Sequence, residues 1–549
     1  MKHTKPQFGA MMSTEQKQTT ETMISPSRRG LLSLVSAGIG VAVGTQLTRR
    51  GGEAKASPDE SPKSGSSPQG LDPQRPQGLN LDDFIVHGYT PITLETKRDR
   101  IGTSVITHER HLFIRNNLPL PDRSIIAQPD QWELTIKGVH NERKITVAEL
   151  KTLGLHTVTT VLQCSGNGRQ FFEHGPSGSQ WGTGAAGCVV WSGVKLSDVI
   201  DTLGGVKDGH MFLTSTGGDP IPEGIDPLSV MVERSIPIEK ALEDVMLAWE
   251  MNGTPLSIEH GGPLRLVVPG YFGCNQIKYI KQIAFTSEQT KAKIQSSGYR
   301  MRPIGQKGAP DQPSLWAMPV KSWLTNPETL YGARQVLRGV ALGGERAVEK
   351  VEVSVDGGTS WRVASFVGPD LGPFAWRLFQ LPVELPLGTH TLMTRAFDTQ
   401  GEGQPETREE NERGYRNNGW RDHALTVQVK AETDRPSASS QKIMTSVAPQ
   451  ASPVPLKPAA KKSELTSAAQ RGKEVFLNQS APPCGVCHRL DDAGAQGAIG
   501  PHLDELKPTI ERIKRAVYEG LGAMPAQRQF SEQQLNDLAQ YVYEATQAK

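Results

Sequence analysis

Two short stretches hold residues whose types and spacing could do redox chemistry. In Cys484-Gly485-Val486-Cys487-His488, two thiols flank two residues and an imidazole follows. Thiols at this spacing can add to the two vinyl groups of a haem while the adjacent imidazole reaches the iron, which is the c-type attachment pattern. A second axial ligand has to come from further along the chain. Met524, in Gly522-Ala523-Met524-Pro525, is the expected one, because a thioether opposite histidine raises the potential of an electron carrier. His502 competes, but Ile499-Gly500-Pro501 before it reads as a loop packed against the haem edge. Zinc would need further ligands, and the tail has no other cysteine. The second stretch runs from Val161 to Arg169, where an apolar strand ends in Cys164 and enters the turn Ser165-Gly166-Asn167-Gly168. A thiolate presented there could ligate a soft metal. Taken alone, such a cysteine is more often a small buried hydrophobe.

These stretches need a scaffold. The chain has 549 residues, too many for a single core. A formal net charge of +2 argues against nucleic-acid binding through bulk charge, and five cysteines are too few for a disulfide framework. Ser27-Arg28-Arg29 precedes an apolar run, Leu31 to Val43, too short for a membrane span, and Ala54-Lys55-Ala56 follows. Together they read as a twin-arginine signal peptide over 1–56 and imply export. Polar, proline-rich stretches at 57–80 and 431–462 read as disordered linkers.

Between the linkers, Trp132 to Ile136 and Val158 to Leu162 alternate like strands, and Val194 to Leu203 reads as a short helix, so an α+β domain is expected at 81–312. From 313 to 430 strands dominate. Val351 to Val355 turns through Asp356-Gly357-Gly358 into Trp361 to Phe366 as a hairpin, and strands near Trp376 to Leu381 and Thr389 to Phe397 complete a small β-sandwich. The tail, 463–549, contains helical segments at Thr509 to Glu519 and Ser531 to Ala545.

The order of motifs in the central block resembles the sulfite oxidase family of molybdopterin enzymes. The matching segments are Phe113-Ile114-Arg115-Asn116-Asn117-Leu118-Pro119, the Cys164 segment, Trp249-Glu250-Met251-Asn252-Gly253, His260-Gly261-Gly262-Pro263-Leu264-Arg265 through Pro269-Gly270, and Ile277-Lys278. Val355 to Trp361 and Arg395-Ala396-Phe397-Asp398 resemble that family's immunoglobulin-like dimerisation domain. The tail resembles an all-α class I cytochrome c domain.

The resemblance implies roles. Cys164 would be the protein ligand to molybdenum. Arg115, Arg169 and Arg413 would form a cationic pocket for an oxyanion, with Tyr299 as the active-site tyrosine. Arg413 is placed by Arg413-Gly414 with Trp420 downstream. Phe113, Ile114, Arg115, Asn116, Asn117, Asp219, His260, Arg265, Gln276, Ile277 and Lys278 would hold the pyranopterin and its phosphate. Cys484 and Cys487 would hold the haem covalently, with His488 and Met524 on its iron. Asn117 stands where many relatives have histidine, and Val190 where relatives often carry arginine. Cys188 and Cys274 are expected to be buried structural thiols.

The implied protein is a periplasmic, homodimeric sulfite dehydrogenase without a membrane span. It would pass electrons from Mo-molybdopterin to its own haem c, then to an external cytochrome c or another periplasmic acceptor. The rivals are a sulfane dehydrogenase acting on carrier-bound sulfur, a reductase of sulfoxides, and a non-catalytic haem carrier. The haem leans towards oxidation.

Overall fold

The two strands expected around the first cysteine are present, at Glu133–Lys137 and His156–Gln163. The computed structural model describes residue 76 and residues 79–436, 465–497, 500–520 and 524–547; the expected signal peptide, nearly all of the first linker and 437–464 lie outside them. At 431–436, where the second linker was expected to begin, the chain still forms a turn, Glu432–Asp434, pinned by Arg435 bonded to Glu432 at 2.7 Å.

Two five-stranded sheets build the first domain. One runs in the order Arg143–Thr146, Glu133–Lys137, Ile280–Thr286, Phe212–Gly217, Glu233–Pro237. The other runs Thr254–Pro255, Met246–Met251, Ala186–Lys195, His156–Gln163, with Arg265–Val267 also on Met246–Met251. Leu134 and Ile136 alternate inward, as the period of two requires, and meet Val199, Leu247 and Ile283 in the core. The helix expected over Val194 to Leu203 covers only Leu196–Thr202. Val194 and Lys195 instead finish a strand, because Gly193 lets the backbone approach Leu247 where a Cβ would clash with its carbonyl oxygen. A three-stranded sheet, Phe84–Tyr89, Ile92–Thr96 and Ile114–Arg115, covers one side.

The next domain has two sheets sharing one core. Lys321–Leu324, Arg334–Leu342, Arg377–Glu384 and Ser365–Val367 face Thr329–Tyr331, Leu425–Lys430, Gly388–Asp398, Val348–Ser354 and Arg362–Val363. Leu337, Phe379, Val351, Leu392 and Val427 fill the space between them. The expected hairpin is only half formed. Val353 pairs with Arg362 and Glu352 with Val363, but after the buried Ala364 the strand crosses to the other sheet, where Phe366 pairs with Phe379. Arg98 fastens the two domains, donating to the carbonyls of Leu324 (2.7 Å), Ala424 (3.1 Å) and His423 (2.6 Å).

The tail packs helices Ser467–Glu474, Ile510–Glu519 and Glu532–Gln547 around Phe476, Tyr541 and Val542, and adds one small strand pair, Arg489–Leu490 with Ala495–Gln496. Thr509 and Ser531 fall just outside their helices as caps; the Thr509 hydroxyl accepts from Arg512 N at 3.3 Å. Among the described residues no helix is long and apolar enough to cross a membrane.

Candidate active site

Cys164 sits where a buried strand ends and the chain must turn. Asn167 N–H closes the turn on the Cys164 carbonyl at 3.0 Å, and Cys164 N–H bonds Ala185 O at 2.9 Å. The half-buried thiol is thereby aimed into a cavity. Its wall also carries Phe113, Arg115, Asn116, Asn117, Asp219 and His260 from the expected set. Arg265, Gln276, Ile277, Lys278 and Tyr299 complete that set's share of the wall.

Ile114 does not join them. Alternation along its strand turns it into the core with Phe84, Ile92 and Leu94, while Arg115 faces the cavity. Arg169 and Arg413 lie behind the wall rather than in it. Arg169 is buried, bonds Arg413 O (2.8 Å) and Ser179 O (2.9 Å), and lies 5.2 Å from the Tyr415 ring. Burial lowers its pKa, with the hydroxyl of Tyr415 and the thiol of Cys164 opposing. Gly166 is needed here, because a Cβ would fall 2.5 Å from Arg169 Nη2. Arg413 lies 5.8 Å from the Tyr415 ring, and its buried Nε has no hydrogen-bond partner among the described residues.

The cavity has the chemistry of a polar, multi-ring ligand site. Five buried polar atoms on the residues that line it lack a partner among the described residues: Asn116 Nδ2, Ser165 Oγ, His260 Nε2, Arg265 Nε and Gln276 Oε1. Native interiors seldom leave such atoms unpaired, so a ligand with donors and acceptors fits here. The residues are held by their other atoms. Arg265 Nη1 donates to His260 O at 2.7 Å, Gln276 Nε2 to Tyr271 O at 3.2 Å, and Lys278 Nζ to Asn116 Oδ1 at 2.8 Å and Glu259 O at 2.5 Å. Burial lowers the pKa of Lys278 well below its usual value and pushes Asp219 up to about 7, the Lys278 charge opposing the latter shift. Burial also favours neutral His260 and holds the Tyr299 hydroxyl protonated. The thiol of Cys164, four arginines and the unpaired atoms together suit a molybdenum dithiolene cofactor bearing an anionic tail.

Several participants were not anticipated. Cys274, expected as a structural thiol, lines the cavity, and burial pushes it up to about 11 with Arg234 opposing. Cys188 does lie in the core, with its thiol pushed up to about 12 by burial. Arg234 lies 5.3 Å from the Tyr299 ring. Tyr415 stacks on Tyr299 with centroids 5.4 Å apart; its place in Arg413-Gly414-Tyr415 was the only signal for it.

In the tail, His488 is buried and its Nδ1 lies 3.1 Å from Pro501 O, which leaves Nε2 for a metal. Burial favours its neutral, ligating form. Burial also raises both motif thiols, Cys484 and Cys487. Met524 packs against the same core, whereas the ring of His502 is engaged by Asp504 at 3.1 Å and Glu505 at 3.0 Å. Among the described residues the tail meets both preceding domains. Cys487 packs with Leu118, Val230 and Val232, and Val232 also lines the cavity. Lys293 Nζ donates to Met524 O at 2.9 Å. Arg515 Nη2 pairs with Glu412 Oε1 at 3.1 Å, one residue before Arg413.

Comparisons with known proteins agree with this division. Residues 118–294 match the oxidoreductase molybdopterin binding domain, 312–430 the Mo-co oxidoreductase dimerisation domain, and 467–542 the family described as cytochrome C oxidase, cbb3-type, subunit III. The mitochondrial sulfite oxidase of Rattus norvegicus is 32% identical over 67% of this chain and 69% of its own length. The sulfite oxidase of Gallus gallus is 31% identical over 64% of this chain and 78% of its own. The solved sulfane dehydrogenase SoxCD from Paracoccus pantotrophus superposes with a TM-score of 0.54 at 26% identity, covering 68% of this chain and all of that one. The chain belongs to the sulfite oxidase family, as a molybdopterin oxidoreductase whose cofactors are Mo-molybdopterin and haem c.

Proposed function

We propose that this chain is an exported, periplasmic sulfite dehydrogenase. The observation that carries the proposal is that Cys164, Arg115 and Tyr299 line one cavity with Arg169 directly behind it. In the net reaction sulfite gains an oxygen derived from water and becomes sulfate, releasing two protons and two electrons. When bound, Mo-molybdopterin supplies a two-electron centre for this oxygen transfer and the haem supplies a one-electron carrier.

The chain's own residues do the rest. Cys164 is the protein ligand to the metal. Arg115, with Arg169 and Arg413 behind it, holds the sulfite dianion by charge-assisted hydrogen bonds. The protonated Tyr299 hydroxyl donates to the bound anion. Asn116, Asn117, Asp219, His260, Arg265, Gln276 and Lys278 hold the pterin. His488 and Met524 ligate the haem iron. With haem bound, the tail would hand electrons one at a time to an external cytochrome or another periplasmic acceptor.

Export by the twin-arginine route is supported by the arginine pair and by the haem motif, whose attachment chemistry belongs outside the cytoplasm. Assembly as a homodimer through 313–430 is supported by the match to a dimerisation family, and the two-sheet architecture there fits an immunoglobulin-like sandwich.

The likeness to SoxCD favours a second possibility, oxidation of a carrier-bound sulfane. A cavity wall with arginines beside the thiol suits a free dianion better. Stopped-flow mixing with sulfite should reduce the haem of the wild type and leave that of Cys164→Ser oxidised. Equal reduction in both would end the proposal. Turnover with a persulfidated carrier but not with sulfite would transfer it to the second possibility. A purified holoprotein free of molybdenum would leave only a haem carrier.

A further inference from the structure

Arg234 lies on the strand Glu233–Pro237, paired with Ser215, and is 1% exposed. A fully buried guanidinium normally finds a carboxylate. This one forms no ion pair among the described residues. Its three nitrogens make five hydrogen bonds, all to neutral acceptors: Nε and Nη2 to Asn275 Oδ1 (3.3 and 3.0 Å), Nη1 to Ile294 O (3.2 Å), and Nη2 also to Leu315 O (3.1 Å) and Ser314 Oγ (3.4 Å).

Those acceptors share a neighbour. Ile294 O also accepts the N–H of Tyr299 at 3.1 Å, and Leu315 N–H donates to the carbonyl of Tyr299 at 3.1 Å. The guanidinium carbon stands 5.3 Å from the Tyr299 ring centroid. One side chain therefore grips the hydrogen-bond partners on both sides of Tyr299 and packs on its ring. Asn275, the third anchor, lies between Cys274 and Gln276, both in the cavity wall. The fork geometry matters, because an ammonium at this site could not reach Asn275, Ile294 and Leu315 together.

We propose that Arg234 is a positioning residue for Tyr299, clamping its backbone and ring so that the hydroxyl stays at the wall of the Cys164 cavity. The proposal rests on the reading of that cavity as the sulfite site. It assigns no contact between Arg234 and the substrate.

The test uses the full chain. In holoenzyme, Arg234→Lys should lower kcat/KM for sulfite about tenfold or more at unchanged molybdenum content, as displacement of a positioned group does. In a Tyr299→Phe background the same change should cost less than about twofold, because the hydroxyl it positions is gone. An equal fold-loss in both backgrounds overturns the proposal. A second readout needs no substrate. Fluorotyrosine placed at 299 in molybdenum-free protein should give a fluorine resonance that shifts and broadens in Arg234→Lys; an unchanged resonance overturns the clamp. Asn275→Ser removes the acceptor of two guanidinium bonds while keeping the charge, and should shift the same resonance if Arg234→Lys does not fold; no shift there counts against the clamp. If wild-type holoenzyme fails to oxidise sulfite, the functional proposal falls while the fluorine signal still decides the clamp.

Discussion

Arg169 donates from Nε to the carbonyl oxygen of Arg413 at 2.8 Å, tying together two arginines 244 positions apart beside the Cys164 turn. Arg169→Lys keeps the charge but cannot span Arg413 O and Ser179 O. It should lower kcat/KM for sulfite by about 10²-fold, as a misplaced group in the site does, with molybdenum content unchanged. Gly166→Ala should act in the same direction by pushing the guanidinium aside. Steady-state kinetics with metal analysis checks both.

Asp219 gives a pH signature in the cofactor-free chain. Burial raises its pKa from 3.8 to about 7, so the folded state binds the extra proton between those values. Stability from this group is then fully present below pH 3.8 and is lost as pH rises through about 7. Relative to Asp219→Asn, the wild-type Tm should fall across that window and level off above it. Parallel thermal denaturation curves for the two proteins at every pH would contradict this.

The contact between Arg515 and Glu412 should act on electron delivery rather than on sulfite oxidation itself. Arg515 is 42% exposed, so the pair contributes little to stability and is sensitive to salt. Arg515→Glu should slow haem reduction by sulfite about two- to fivefold at low ionic strength, with the difference vanishing at high salt. Stopped-flow traces over a salt series measure it.

Met524→Ala should open the sixth position of the haem iron. Carbon monoxide should then bind the reduced variant readily and the wild type poorly, as the absorption spectrum would report. If His502 were the ligand, the variant would behave like the wild type, and the carboxylates around that ring already argue otherwise.

The haem motif and the Cys164 segment were legible because their chemistry dictates residue type and spacing within a few positions. Most of the residues expected on the pterin side do line the Cys164 cavity, whereas strand alternation turns the Ile114 side chain away from it into the core. Arg234 left no trace in the sequence. An arginine in Val232-Glu233-Arg234-Ser235-Ile236 looks like any solvent-facing strand residue until Asn275, Ile294 and Leu315 arrive from elsewhere in the fold. The sequence did not reveal that Cys274, which packs against a core as expected, also lines the cavity, because that depends on distant elements. The hairpin at 351–366 was half legible, since alternation describes a strand but not which sheet receives it.

Asn116 Nδ2, His260 Nε2, Arg265 Nε and Gln276 Oε1 are each buried without a partner among the described residues. An unsatisfied buried polar atom costs about 1–3 kcal/mol, and a whole domain is stable by only about 5–15 kcal/mol. Loading the pterin is thus expected to raise the chain's stability as well as equip it for chemistry, so a chain that misses it should be cut sooner by proteases than a finished one.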